Sequence, residues 1–142
     1  MPTQPDPAHE RPEGVDDETV AAVGKLSEAL ETIEQARGHL YALHQLTGHA
    51  DLMLDEAVEL LRKAGHGALA DRVENELIGR NVLEGRWTFQ IVEEYEDGYY
   101  AAFRGMEEDA RNQLLGGRRH VYESEMKERR RTHGRRHHES RP

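Results

Sequence analysis

Cysteine is absent from this 142-residue chain. That excludes disulfide frameworks, thiol nucleophiles and Cys-based zinc or iron–sulfur centres. Proline is missing from everything between Pro12 and Pro142. Because proline removes a backbone donor and breaks helices, so long a run without it is what an extended helical body requires. Long apolar runs are lacking as well. Charges interrupt even the most apolar stretch, DLMLDEAVELL at residues 51–61, so no transmembrane helix is expected and no membrane partner. The opening MPTQPDPAHERPEGV has no apolar core of a secretory signal, which predicts a cytoplasmic protein. Lysine is scarce: the 19 basic residues include only three lysines, at 25, 63 and 127.

What is present is charge and helical periodicity. Charged residues make up 33% of the chain and hydrophobic ones 36%. That balance suits long helices that each bury one stripe, or an oligomer, and a homodimer is the partner expected first. The net charge of −9 hides a polarity. Residues 116–142 carry nine Arg and Lys against four Glu, a balance of +5, while the preceding 115 carry ten basic against 24 acidic, or −14. A basic arm on an acidic body can fold back, clasp a second subunit, or meet an anionic partner such as nucleic acid.

Punctuation divides the chain. Residues 1–15 hold four prolines and no apolar pattern, and read as a disordered tail. Asp16 and Asp17 offer N-caps to a helix whose Val23, Leu26, Leu30, Ile33, Leu40 and Thr47 recur at steps of three and four, with Arg37 and His44 filling the same seam. Gly48 reads as its end. A second helix is predicted over 49–64, with Met53, Ala57, Leu60 and Leu61 inward, and a third over 68–83, burying Leu69, Val73, Leu77 and Val82. Residues 86–115 fit a helix through Thr88, Val92, Tyr95, Tyr99, Ala102, Met106 and Gln113, although Asp97-Gly98 between aromatic runs also suits a β-hairpin. Gly116-Gly117 closes it, and a charged helix over 118–132 precedes a disordered tail at 133–142. The fold class is therefore all-α: an up-and-down four-helix bundle over 16–117 with an extra short C-terminal helix, the long helices pairing in a dimer. Gly24, Gly38, Gly79, Gly98 and Gly105 fall inside predicted helices, and close helix packing is the expected reason.

No motif commits the chain to a chemistry. Ferritin-like centres need Glu-x-x-His on two helices; Asp6-Pro-Ala-His9 fits only in the N-terminal tail, and beyond it only His120-x-x-Glu123 offers a comparable spacing, on the charged arm. No cofactor and no metal are expected. Gly65-His66-Gly67-Ala68-Leu69-Ala70 spells G-x-G-x-x-A, but a helix end precedes it where a strand is needed. Arg37, Tyr41 and His44 share one face and could wall a polar pocket, with Glu76 and Arg80 of the third helix and Glu93, Glu94 and Asp97 of the fourth as further candidates. A carboxylate on the second or third helix is the expected partner of His44. In the arm, Arg118, Arg119, Arg129, Arg130 and Arg131 are the candidate contacts to an anion or a protein partner.

The acidic run Glu93-Glu94-Tyr95-Glu96-Asp97, with Glu107-Glu108-Asp109 downstream, resembles the magnesium-holding helices of all-α nucleotide pyrophosphohydrolases. That family's second element, Glu-x-x-Asp, does not follow on this helix. A solvated acidic face is the reading adopted. The first functional expectation is a non-enzymatic interaction or regulatory protein acting through helix surfaces and the basic arm. A small-molecule-binding or hydrolytic bundle and a nucleic-acid-associated protein are the alternatives.

Overall fold

The computed structural model describes residues 4–141. The outermost residues of the two expected tails, 1–3 and 142, lie outside the described residues. Among the described residues the chain is all-helical, and its only extended pairing is an isolated bridge between Leu83 and Arg86. Helix α1 spans Asp17–Lys63, α2 Gly67–Arg72, α3 Thr88–Tyr95, α4 Ala101–Leu115 and α5 Val121–Arg130. A π-helical turn, Val73–Leu77, extends α2, and another, Glu96–Tyr100, joins α3 to α4. The helical alternative over 86–115 is thus the one adopted.

The first two predicted helices are a single element of 47 residues. Gly48 does not stop it. A helical glycine costs about 1 kcal/mol against alanine, too little to interrupt a helix whose packed face continues on both sides. That face runs through Val20, Val23, Ser27, Leu30, Ile33, Arg37, Leu40, His44, Thr47, Asp51, Leu54, Val58 and Leu61, all buried or half-buried at steps of three and four. Leu26, Met53 and Leu60, expected inward, are exposed; Ser27, Leu54 and Val58 take the inner positions. The Asp16 carboxylate accepts from the Thr19 backbone N–H at 2.8 Å and caps the N-terminus. Past the C-terminus, Gly65 turns left-handed and the His66 N–H reaches back to the Leu61 carbonyl at 2.8 Å.

The π-turn within 88–115 corrects the predicted stripe. A π-turn adds one residue to the helical turn, so every position beyond it moves round by one. Thr88 and Val92 are buried as expected, but the buried residues then become Tyr100, Glu107 and Leu115. Tyr99, Ala102, Met106 and Gln113 face outward. In α2 and the π-turn that extends it, similarly, Ala70 is buried while Leu69 and Leu77 are exposed, as is Val82 beyond their end. That helix ends before Gly79, whose φ of +74° needs glycine and whose N–H donates to Asp51 Oδ1 at 2.9 Å.

The chain forms two units, one of residues 1–33 with 100–142 and one of residues 34–99. In the first, Val20, Val23, Leu115 and Val121 form an apolar cluster with Val15 against it. A Cβ added at Gly24 would lie 3.0 Å from Tyr122 Cβ, so this glycine does mark a close approach of α1 and α5. Gly38, Gly98 and Gly105 have open space at that position, which overturns the packing explanation for them.

The proline-rich segment makes defined contacts within this unit. Asp6 caps a short turn at Pro7–His9, and His9 Nδ1 lies 2.6 Å from the Arg119 carbonyl. Arg11 joins Asp17, at 2.8 Å, to Glu125, at 2.7 Å. Ser140 and Arg141 donate to the Gln4 carbonyl, each at 3.0 Å.

Candidate functional site

Within the 34–99 unit, two of the three residues named on the α1 face converge on one carboxylate. Arg37 donates to Glu96 Oε1 through Nε at 3.0 Å and Nη2 at 2.8 Å, and the Tyr41 hydroxyl donates to the same oxygen. The Arg37 guanidinium also lies 5.4 Å from the Tyr41 ring centroid, within cation–π range. These contacts move both titrating groups. Donation from Tyr41, then from Arg37, holds the Glu96 carboxyl below the usual carboxylate range. The same bond to Glu96 pushes the Tyr41 hydroxyl up, because ionisation would lose it.

One turn further along α1, His44 Nδ1 meets Thr88 Oγ1 at 2.6 Å. The partner of His44 is therefore a hydroxyl at the start of α3 instead of the expected carboxylate. Thr88 is buried, and its position is set by the cap of α3, where the Gln90 side chain accepts from the Trp87 N–H at 2.8 Å. Seam positions Arg37 and His44 thus find polar partners on the segment opposite, as buried polar groups must.

The remaining candidates lie elsewhere. Glu76 is 3.6 Å from Arg72, one turn before it. Glu94 pairs with Arg86 at 2.7 Å, and Glu93 and Asp97 are exposed. Arg80 belongs to a groove of about 410 Å³ lined by Thr47, Ala50, Asp51 and Leu54 of α1 and by Leu77, Arg80, Asn81 and Val82. In the arm, Arg118 donates to the Glu10 carbonyl at 2.8 Å. Arg131 is held by Glu128 at 2.6 Å, which depresses the Glu128 pKa. Arg119, Arg129 and Arg130 are exposed. His120 and Glu123 stand 4.0 Å apart, and among the described residues no three His or acidic side chains gather as a metal site.

Two features escaped sequence reasoning. Glu96 sits inside an acidic run whose other acids are exposed, and it continues the buried Thr88–Val92 face at the next step of four. Glu107, grouped with Glu108 and Asp109 as solvated acid, is buried. It accepts from Ser27 at 3.0 Å and from Arg111 Nε at 3.1 Å, while Arg111 Nη1 donates to the Gly117 carbonyl at 2.9 Å. The i,i+4 spacing of Glu107 and Arg111 was the available signal.

The chemistry available at these places is limited. A general base at neutral pH needs a pKa raised toward 7, and Glu96 moves the other way. Every buried side-chain nitrogen or oxygen among the described residues has a hydrogen-bond partner. What stays unsatisfied is apolar. Thirteen of the eighteen exposed large hydrophobic side chains belong to the 34–99 unit. Along α1 they include Leu43, Leu46, Met53 and Leu60, which share one side of the helix with Ala50 and Ala57. No protein-family model, curated protein or solved structure matches the chain. Among the described residues, no helix is long and apolar enough to cross a membrane.

Proposed function

We propose that this protein is a non-enzymatic interaction or regulatory protein whose working surface is the exposed apolar side of α1 within the 34–99 unit. The observation that carries this reading is a run of large side chains left in water at helical spacing: Leu46 is 65% exposed, Met53 70% and Leu60 56%. Isolated exposed leucines are ordinary, but a contiguous apolar stripe of several hundred Å² is characteristic of a surface that a partner covers. The polar candidates support the same reading from the other side. Arg37, Tyr41 and Glu96 satisfy one another, and His44 and Thr88 do likewise, so these groups act as seam contacts within the unit.

The test is a photo-crosslinking amino acid placed at Met53 in the full chain, in the cells that produce it. Covalent adducts are expected from position 53, and they should vanish when Leu46→Glu puts a charge into the stripe. No adducts should form from Asp55, which lies on a different side of α1. The absence of adducts from position 53 would overturn the reading.

A further inference from the structure

Resting on that reading, we infer that the partner of this stripe is a second copy of the same chain, with the two α1 helices antiparallel about an axis between Ala50 and Met53. The stripe consists of Leu43, Leu46, Ala50, Met53, Ala57 and Leu60, at successive steps of three, four, three, four and three. That spacing is an a/d heptad seam, and it is distinct from the seam through Leu40, His44, Thr47, Asp51 and Leu54 that α1 already uses within the chain. One helix thus carries two seams, and in the second every residue but Ala57 is exposed.

The order of side-chain sizes chooses the orientation. Antiparallel pairing sets Leu46 against Ala57 of the second copy, Ala50 against its Met53, and Leu43 against its Leu60. Each small residue meets a large one, so successive layers fill evenly. A parallel, in-register pair would instead set Ala50 on Ala50 and Met53 on Met53, alternating empty layers with crowded ones. Charge points the same way. Antiparallel pairing brings His49 beside Glu56 of the second copy twice, along one edge of the seam. Parallel pairing would bring Glu56 against Leu61, which is already half-buried within its own chain.

Leu43, Leu46, Met53 and Leu60 are 47%, 65%, 70% and 56% exposed, and together supply on the order of half of the roughly 800 Å² that each partner gives to a stable interface. A two-fold axis makes the patch self-complementary, as a closed dimer requires. Ala50 also lines the 410 Å³ groove, so Met53 of the second copy would arrive at its rim.

Light scattering on the full chain at tens of micromolar should give twice the monomer mass. Met53→Glu should raise the dimer dissociation constant at least about 100-fold, because it buries an unpaired charge. Met53 is 70% exposed, so far-UV circular dichroism should stay unchanged. The chain has no cysteine, which allows a clean orientation test. A mixture of Leu43→Cys and Leu60→Cys chains should form the mixed disulfide, while Leu43→Cys alone should not link to itself. Self-linking of Leu43→Cys would overturn the antiparallel arrangement. A monomer at 100 µM would overturn the second copy as partner. If position 53 still gives adducts to other proteins in cells, the interaction reading survives that result; if it gives none, both fail.

Discussion

In the unit formed by residues 1–33 and 100–142, Val20, Val23, Leu115 and Val121 close into one apolar cluster, and a buried Glu107 is matched by Ser27 and Arg111. In the unit of residues 34–99, the buried apolar residues Val58, Ala70 and Val92 are few, half-exposed polar pairs link α1 to the α3 segment, and large side chains stand in water. The two units spend similar sequence differently. The first pairs its polar groups out of solvent, where losing a partner is costly. The second leaves its ion pair partly wet, where losing a partner costs less, and keeps its apolar surface outward.

The largest expected effect falls on the first unit. Glu107→Ala should destabilise it by about 3–5 kcal/mol, because it strands the Arg111 guanidinium, whose side chain is 13% exposed. Thermal unfolding followed by circular dichroism measures this, and the contrast breaks if the loss is no greater than that of Glu96→Gln.

Glu96→Gln should lower the melting temperature by only a few degrees and change its pH dependence. The folded pKa of Glu96 lies below its unfolded value, so its contribution is complete above the ordinary carboxylate range and is lost as pH falls through the folded pKa. Melting curves between about pH 5 and pH 3 should therefore fall less steeply in the variant than in the native chain.

The smallest effect sharpens the comparison through glycine. Gly48→Ala should stabilise α1 by about 0.5–1 kcal/mol, since its added Cβ meets nothing. Gly24→Ala should do the reverse, because Tyr122 Cβ is fixed to the α5 backbone and cannot swing aside. Denaturant midpoints would read both signs.

The helical class, the seam from Leu30 to Thr47 and the cap at Asp16 were legible because periodicity and capping are local properties, whereas Leu26 is exposed and Ser27 takes the inner position. The continuity of α1 was legible in principle: Thr47, Asp51, Leu54, Val58 and Leu61 keep the same steps, but Gly48 is the usual sign of a helix end. The inner face of 101–115 was not legible. Heptad counting assumes a constant turn, and the π-turn at Glu96–Tyr100 shifts every later residue by one. That shift exposes Met106 and brings Glu107 inside. At the candidate site, Arg37 and His44 stood out as polar residues in an apolar seam, whereas their partners Glu96 and Thr88 depend on tertiary register alone.

The residues that meet near Val20 are separated along the polypeptide, and this orders events during synthesis. Everything from Glu34 to Tyr99 leaves the ribosome as one contiguous stretch, so its local pairings are free to form early. Val20 and Val23 must wait for about ninety further residues before Leu115 and Val121 emerge, and until then two valines of a nascent helix remain uncovered.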